Sequence, residues 1–457
     1  MLAHGTLSLP IPTPDQEFPI IQYADDIVIF FTARWEELAT LKNMLLTFEQ
    51  STGLKVNFSN SSMILLNIDE GEANRLTALL GCKIGQLPFT YLGLPLGTTR
   101  PRIVDFMPLV DALERRLTAS SCMLNQGSQL QLLTSVLTSM HIYFLYSLQL
   151  PPGIIKQLDR ISRQCLWRGN SDAPKQSLAA WDLVCRPKKF GGLGVTHLGF
   201  QNEALLMKHL FKFFNKQDIP WVNLIWRTYY GPLAPQVTQS CRSFWWRDVL
   251  SLYDKFCKLA TPQVHAGDTV VFWLDHWKVD NCTTLLKERF PRLHSFVIDD
   301  LITVRDIFNM TTESGNLHLP LSVEAFNELQ QLQSLLAPIN LDPEGKDIWK
   351  WPSKSGDFQS RLFYDLNFHH LVVDPILKWI WKCSCTLKLK VFGCLLLMDR
   401  LNTRDMMQHR HWNIQDDICV MCHISNHEDR VHLFFACNFS HCVWNYLGIS
   451  WIAQPNQ

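Results

Sequence analysis

The sequence predicts an α+β fold that is mostly helical, and three observations lead there. Short β-branched or aromatic runs beside turn residues, such as Ile27-Val28-Ile29-Phe30-Phe31 and Tyr91-Leu92-Gly93-Leu94, concentrate before residue 100. From residue 103 onward apolar residues recur at helical spacing over long stretches. Hydrophobic residues make up 47% of the 457 residues and charged residues 18%, enough apolar surface for a large core and too little charge for disorder.

The first element is a hairpin. Phe18 to Phe31 reads FPIIQYADDIVIFF, with two acids between strand-like runs. Adjacent carboxylates in one central strand would point to opposite faces and leave one buried without a partner. A tight turn at Tyr23-Ala24-Asp25-Asp26 avoids that, and carboxylates on such a turn can hold Mg²⁺. A solvated turn is the plainer alternative. Trp35 to Gln50 reads as a helix with Leu38, Leu41, Met44, Leu45 and Phe48 on one face and Gly53 as its stop. Leu54 to Phe58 is expected as a short strand, and Tyr91 to Gly97 as a strand and turn.

The helical part begins with Ile103, Phe106, Met107, Val110, Leu113 and Leu117 on one stripe. Gln129 to Leu150 follows, ended by Pro151-Pro152, then a helix marked by Ile155, Leu158, Ile161 and Cys165. PKKFGGLGV, Pro187 to Val195, is a basic loop without the Gly-Lys-Ser/Thr of a phosphate loop. Asn202 to Asn215 is amphipathic. Trp221, Trp226, Tyr229, Tyr230, Phe244, Trp245 and Trp246 then alternate with Arg227, Arg242 and Arg247. Such aromatics can stack on single-stranded bases, but core packing is their commoner use. Gly267 to Trp277 reads as a strand after a turn. Residues 310–347 read as a linker, and Trp351 to Leu366 as a strand and turn leading into a helix.

Formal net charge is zero but unevenly spread. Residues 1–155 hold 9 Lys/Arg against 13 Asp/Glu, residues 156–258 hold 16 against 7, and residues 259–457 hold 17 against 22. The middle third is a basic island suited to phosphates. Arg160, Arg163, Lys188 and Lys189 are its best nucleic-acid-binding candidates. No apolar run reaches about 18 residues, so no membrane span is expected. The 14 cysteines are mostly scattered singly, and the N-terminus lacks a basic leader. A reducing location, nuclear or cytoplasmic and not secreted, is expected.

The second chemical constellation is CVMCHISNHEDRVHLFFACNFSHCVW. Cys419-x2-Cys422 and His432-x4-Cys437 can complete a tetrahedral Cys3His set for a structural Zn²⁺ with no open position. His423, His427, His441 and Cys442 are nearby alternatives, His427 the most serious. Reduced cysteines in a core are the plainer reading.

Apolar-Tyr-Ala-Asp-Asp-apolar, STGLKVNFSNSSM, FTYLGLPLG, the Gly-Gly-Leu-Gly step and the Cys/His string together resemble LINE-type (non-LTR) retrotransposon reverse transcriptases of plants. The resemblance implies a partial polymerase palm over 1–102 and a helical, thumb-like basic region over 103–258. A mixed linker over 259–350 and a small zinc-binding module over 351–450 would follow. It implies Asp25 and Asp26 as Mg²⁺ ligands, Tyr23, Lys55, Tyr91 and Gly93 as substrate-binding positions, and His432 over His427 in the zinc set. Partners would be RNA, RNA/DNA hybrid or DNA, with no small-molecule substrate beyond nucleotides. The family's further palm aspartate has no counterpart: Asp15 and Glu17 precede Tyr23 in a Pro-rich context. The expectation is therefore a C-terminal fragment of an RNA-directed DNA polymerase, inactive alone. An active enzyme completed from upstream and a zinc-containing interaction module are the alternatives.

Overall fold

The computed structural model describes residues 20–121, 124–140, 142–167, 177–230, 243–280, 284–310, 313–422 and 427–450. Asp15, Glu17, Arg242 and His423 lie outside them. Two compact units are present: residues up to Asp105 with Met207–Gln359, and Phe106–Leu206 with residues from Ser360 onward.

The first unit opens with β1 (Ile20–Tyr23) and β2 (Asp26–Ile29), antiparallel, with Tyr23 opposite Asp26. The turn is Ala24-Asp25, and Ala24 carries a positive φ of 53°, a conformation a tight hairpin demands and Ala adopts reluctantly. α1 (Trp35–Thr52) ends at Gly53, whose φ of 77° lets its N–H reach the Glu49 carbonyl. β3 (Ser62–Ile64), α2 (Glu70–Leu80) and β4 (Lys83–Gly85) form a parallel strand–helix–strand unit. Leu38, Leu41, Met63 and Leu76 make its core. Met44 and Phe48, expected on the buried face of α1, are exposed because this core ends at Leu45. The strand expected at Leu54 to Phe58 does not form. The Asn57 side chain accepts from Asn60 N–H and draws the chain into a 3₁₀ turn, Phe58–Asn60. β5 (Phe89–Tyr91) and β6 (Leu94–Leu96) are joined by Leu92-Gly93, both at positive φ.

The second unit is a helical bundle. α3 (Met107–Ser121), α4 (Gln126–Met140), α5 (Ile142–Ser147) and α6 (Pro152–Trp167) follow one another. α3, α4 and α6 pack mutually through Val110, Leu113, Leu117, Leu130, Leu133 and Leu158. Ile103 sits exposed in the 3₁₀ turn before α3. After α7 (Trp181–Cys185) comes a 3₁₀ turn, Lys188–Phe190, and then α8 (Leu198–Phe214). Within this unit the Asn202 side chain accepts from Leu150 N–H and donates to the Leu145 and Leu148 carbonyls, pairing backbone groups that α5 leaves open.

The remaining part of the first unit holds α9 (Pro220–Ile225), α10 (Phe244–Leu250), α11 (Tyr253–Cys257) and β7 (Thr261–Gln263). α12 (Leu286–Arg289), α13 (Pro291–His294), α14 (Val304–Asn309), α15 (Val323–Leu336) and β8 (Ile348–Lys350) complete it. The aromatics here are core. Phe213 stacks on Trp226 with centroids 4.5 Å apart, Phe214 lies 4.8 Å from Trp349, and Trp246 donates to the Tyr230 hydroxyl at 2.7 Å. Gly267 to Trp277 makes no strand, only turns and a single bridge from Val271 to Thr303. Its backbone donors go to carboxylates instead. Asp347 accepts from the N–H groups of His265, Gly267 and Thr269 and from the Thr269 hydroxyl, at 2.8–3.0 Å. Asp275 accepts from Val271 N–H and the Tyr253 hydroxyl. The segment read as a linker carries α15, which buries Ala325, Leu332 and Leu336.

The second unit resumes with α16 (Ser360–Leu366), α17 (Pro375–Lys382), α18 (Leu387–Leu397), α19 (Arg404–His409) and α20 (Asn438–Tyr446). α18 packs on α4. Gly127 permits the approach, since a Cβ there would lie 2.6 Å from the Lys388 nitrogen.

Asp347→Ala strands three N–H groups and a hydroxyl, so a loss of about 3 kcal/mol or more is expected in urea unfolding followed by tryptophan fluorescence. Burial opposes ionisation of Asp347, but its four donors outweigh burial and lower its pKa. The stabilisation is therefore present above the ordinary value of 3.8 and lost as pH falls through the lower folded value. The variant should show a flatter acid limb, with the exposed Asp254→Ala as a control within about 0.5 kcal/mol of wild type. An unchanged midpoint for Asp347→Ala would show that the turn does not depend on the carboxylate.

Candidate metal centre

Four side chains converge near the C-terminus. The ligand atoms of Cys419, Cys422, His432 and Cys437 all lie within 4.8 Å of one another. Cys422 Sγ is 3.4 Å from His432 Nε2. A Zn²⁺ with Zn–S of about 2.3 Å sets tetrahedral sulfurs about 3.8 Å apart, so the set needs only slight contraction to close on the metal. Three thiols and one imidazole are a zinc donor set, and four protein ligands leave no open position.

Local structure explains the convergence. The bridge between Ile418 and His427, reinforced by Glu428 N–H donating to the Asp417 carbonyl, folds Cys419 and Cys422 into a knuckle. Glu428 is buried, and its carboxylate accepts from Arg404 N–H, tying the knuckle to the start of α19. Arg404 also donates to the Ile418 carbonyl. On the other side Asp429 accepts from His432 N–H and starts one π turn, His432–Ala436. Cys437 N–H returns to the His432 carbonyl, and Cys437 caps α20. Ser440 and Trp444 on α20 donate to the Leu433 and Phe434 carbonyls, which holds the π turn against the helix.

Electrostatics makes Cys437 more acidic than an ordinary thiol. Burial opposes ionisation there, but the N–H groups of Phe439 and Ser440 at the helix start, with the neighbouring Cys422 and Cys419 thiols, hold its pKa below the usual thiol value. Cys419 goes the other way: burial, together with the adjacent thiols, raises it. His427 is outside the cluster, exposed, with Nδ1 2.5 Å from Asp417 Oδ2.

This segment has no apolar core of its own. Among the described residues of 401–450 only Thr403, Cys419, Glu428, Cys437 and Ser440 are buried.

The other positions read from sequence are dispersed. Asp25 sits in the hairpin turn and Asp26 opens β2, both exposed. They do not both project from the turn. Among the described residues neither joins a group of three potential metal ligands. Tyr23 is exposed on β1, and Lys55 is exposed with its ammonium 3.8 Å from Glu49. Tyr91 ends β5 and Gly93 lies in the second hairpin turn, and the Tyr91 hydroxyl is buried without a hydrogen-bond partner. Arg160 and Arg163 are exposed on α6, with the Arg163 guanidinium 5.6 Å from the Trp181 ring. Lys189 pairs with Asp365, a buried carboxylate that sequence reasoning did not single out. Its distance of 176 residues in the chain hid the pair.

Lys189→Gln should therefore destabilise the protein by about 1–3 kcal/mol, because it leaves Asp365 buried with only the more distant Arg361. Arg160→Gln should stay within about 0.5 kcal/mol of wild type. Thermal denaturation of both variants measures the difference, and equal melting temperatures would remove the structural role assigned to Lys189.

Comparison with known proteins meets this geometry. Residues 358–444 match the family described as zinc-binding in reverse transcriptase. A putative ribonuclease H protein of Arabidopsis thaliana is 24% identical over 344 residues, 70% of this chain and 52% of that protein. An uncharacterized mitochondrial protein of the same plant is 26% identical over 143 residues, 30% of this chain and 92% of that protein. The chain thus spans about half the length of the first relative. Together these matches support a reverse-transcriptase relationship for this chain, with a zinc-binding domain of that kind at residues 358–444.

Proposed function

We propose that this chain is a LINE-type retrotransposon reverse-transcriptase polypeptide that holds one structural zinc and binds nucleic acid, without extending a primer by itself. The observation that carries the reading is the Cys3His cluster inside the matched zinc-binding domain. When bound, the metal supplies cross-linking of a segment with almost no apolar core. Cys419 and Cys422 would hold it from the knuckle, and His432 and Cys437 from the π turn and the start of α20. Glu428 and Asp429 fix those turns.

Nucleic acid is the partner in this reading, as RNA, RNA/DNA hybrid or DNA. Support comes from the excess of Lys and Arg over residues 156–258. Phosphate contacts need charge more than base geometry, so binding would tolerate any sequence and weaken with salt. Tyr23, Lys55, Tyr91 and Gly93 are assigned inherited places beside the palm hairpin. Asp25 and Asp26 would hold Mg²⁺ only with a further carboxylate, and the described residues supply none beside them.

Native mass spectrometry tests the metal. One Zn²⁺ per chain is expected. Cys419→Ser, Cys422→Ser, His432→Ala and Cys437→Ser should each lower its retention at least tenfold, and His427→Ala should keep it. Since thiols and imidazole must lose protons to bind, occupancy should fall as pH is lowered. Removing zinc with a chelator should open residues 401–450 to proteolysis. Retention by the His432 variant together with loss by the His427 variant would overturn the ligand set.

Primer extension tests the catalytic part. The purified chain with Mg²⁺ or Mn²⁺ should add no nucleotides on an RNA template. Template-dependent incorporation that Asp25→Ala abolishes would refute this.

A further inference from the structure

We propose that Lys188, over the Trp381 ring, and Lys390, at the Trp381 carbonyl, form a subsite for a phosphate group. The inference rests on the nucleic-acid reading and gives it a specific place.

All three residues lie in the second unit. Lys188 opens the 3₁₀ turn before the glycine loop, and its ammonium stands 4.7 Å from the centre of the Trp381 ring. Lys390 on α18 donates to the Trp381 carbonyl at 3.1 Å. Two ammonium groups from distant parts of the chain thus meet one tryptophan. The backbone makes this placement possible. Gly194, at φ 80°, lies along the Lys188 side chain, where a Cβ would come within 3.1 Å of its Cγ. Gly192 has no room for a side chain, since a Cβ would sit 2.2 Å from the Arg186 carbonyl oxygen. At Gly194 the loop therefore follows the stem of Lys188, while Gly192 packs on the backbone of Arg186 and Leu183.

Neither ammonium pairs with a carboxylate among the described residues, whereas Lys189 next door is matched by Asp365. Burial and the charge of Lys390 lower the Lys188 pKa, as two like charges that approach without a counterion require. Cys394 also lies close, buried and with a pKa pushed up to about 12, so it brings no negative charge. A phosphate carries the charge to offset two ammonium groups and enough oxygens to accept from both. Lysines act on phosphate as point charges, so the subsite demands no base-specific geometry. Its source is a polynucleotide backbone or a free phosphate compound. The indole N–H of Trp381 is buried with no acceptor, and its resonance serves as a local reporter.

The test uses the full, zinc-loaded chain and the variant Lys188→Gln/Lys390→Gln, with fold checked by thermal denaturation and zinc content. In one arm, single-stranded and hybrid oligonucleotides are titrated by gel shift across salt concentrations. Each replaced lysine should lower the salt slope by about 1 and weaken binding alike for all sequences. In the other, inorganic pyrophosphate is added while the Trp381 indole ¹H–¹⁵N resonance, assigned with Trp381→Phe, is followed. A saturable shift that the double variant loses is expected. If oligonucleotides bind wild type and variant with equal affinity and slope, the subsite fails while nucleic-acid binding stands. If no oligonucleotide binds but pyrophosphate shifts Trp381 in wild type alone, the subsite stands for free phosphates and the nucleic-acid reading fails. If neither ligand distinguishes the proteins, both are wrong.

Discussion

Between residues 401 and 450 no aliphatic or aromatic side chain is fully buried among the described residues, so side-chain hydrogen bonds to backbone, grouped around four potential metal ligands, are the constraint on this segment. Full hydrophobic burial contributes little to its order, because the buried positions are two cysteines, a threonine, a serine and a glutamate. Each polar member works on backbone. Glu428 binds the start of α19, Ser440 binds the π turn, and Cys437 opens α20. The result is a frame of hydrogen bonds whose inner corners are thiols and an imidazole. Such a frame brings together the four side chains that could hold a metal.

The same economy recurs where irregular backbone is buried. Asp347 gathers the donors of the turn at 265–269, Asp275 those near Val271, and Asn202 the open backbone groups at the end of α5. Each replaces a sheet or helix ladder with one side chain. The cost depends on the environment. Asp347 has four donors and a lowered pKa, while Asp275, fully enclosed, is raised by burial to about 6 despite its hydrogen bonds. Opposite signs mean that Asp347 adds stability as pH rises toward 3.8, whereas Asp275 removes it as pH rises from 3.8 to about 6.

Charge shows how composition and structure divide the work. The basic excess over residues 156–258 is plain in the sequence, yet its members have different fates. Lys189 is occupied by Asp365, Arg163 lies over Trp181, and Lys216 pairs with Asp268. Lys188 instead meets Lys390, a residue outside the island by sequence. Which cations are paired with a carboxylate follows from long-range packing.

By itself the sequence determined what rests on local chemistry. Gly53 stopping α1, the two hairpin turns, the helical stripe of α3 and the Cys-x2-Cys and His-x4-Cys spacings all involve residues within a few positions of each other. Only the tertiary structure decided the rest. Leu54 to Phe58 and Gly267 to Trp277 have strand-like residues, but a strand needs a partner edge, and Asn57 and Asp347 bound the backbone first. The separation of His432 from His427 turned on Asp417, which engages one, and on the π turn, which aims the other. Asp365 and Lys390 gained their roles because folding brought them to lysines far away in the chain, and pairing across such distances leaves no periodicity for a sequence to display.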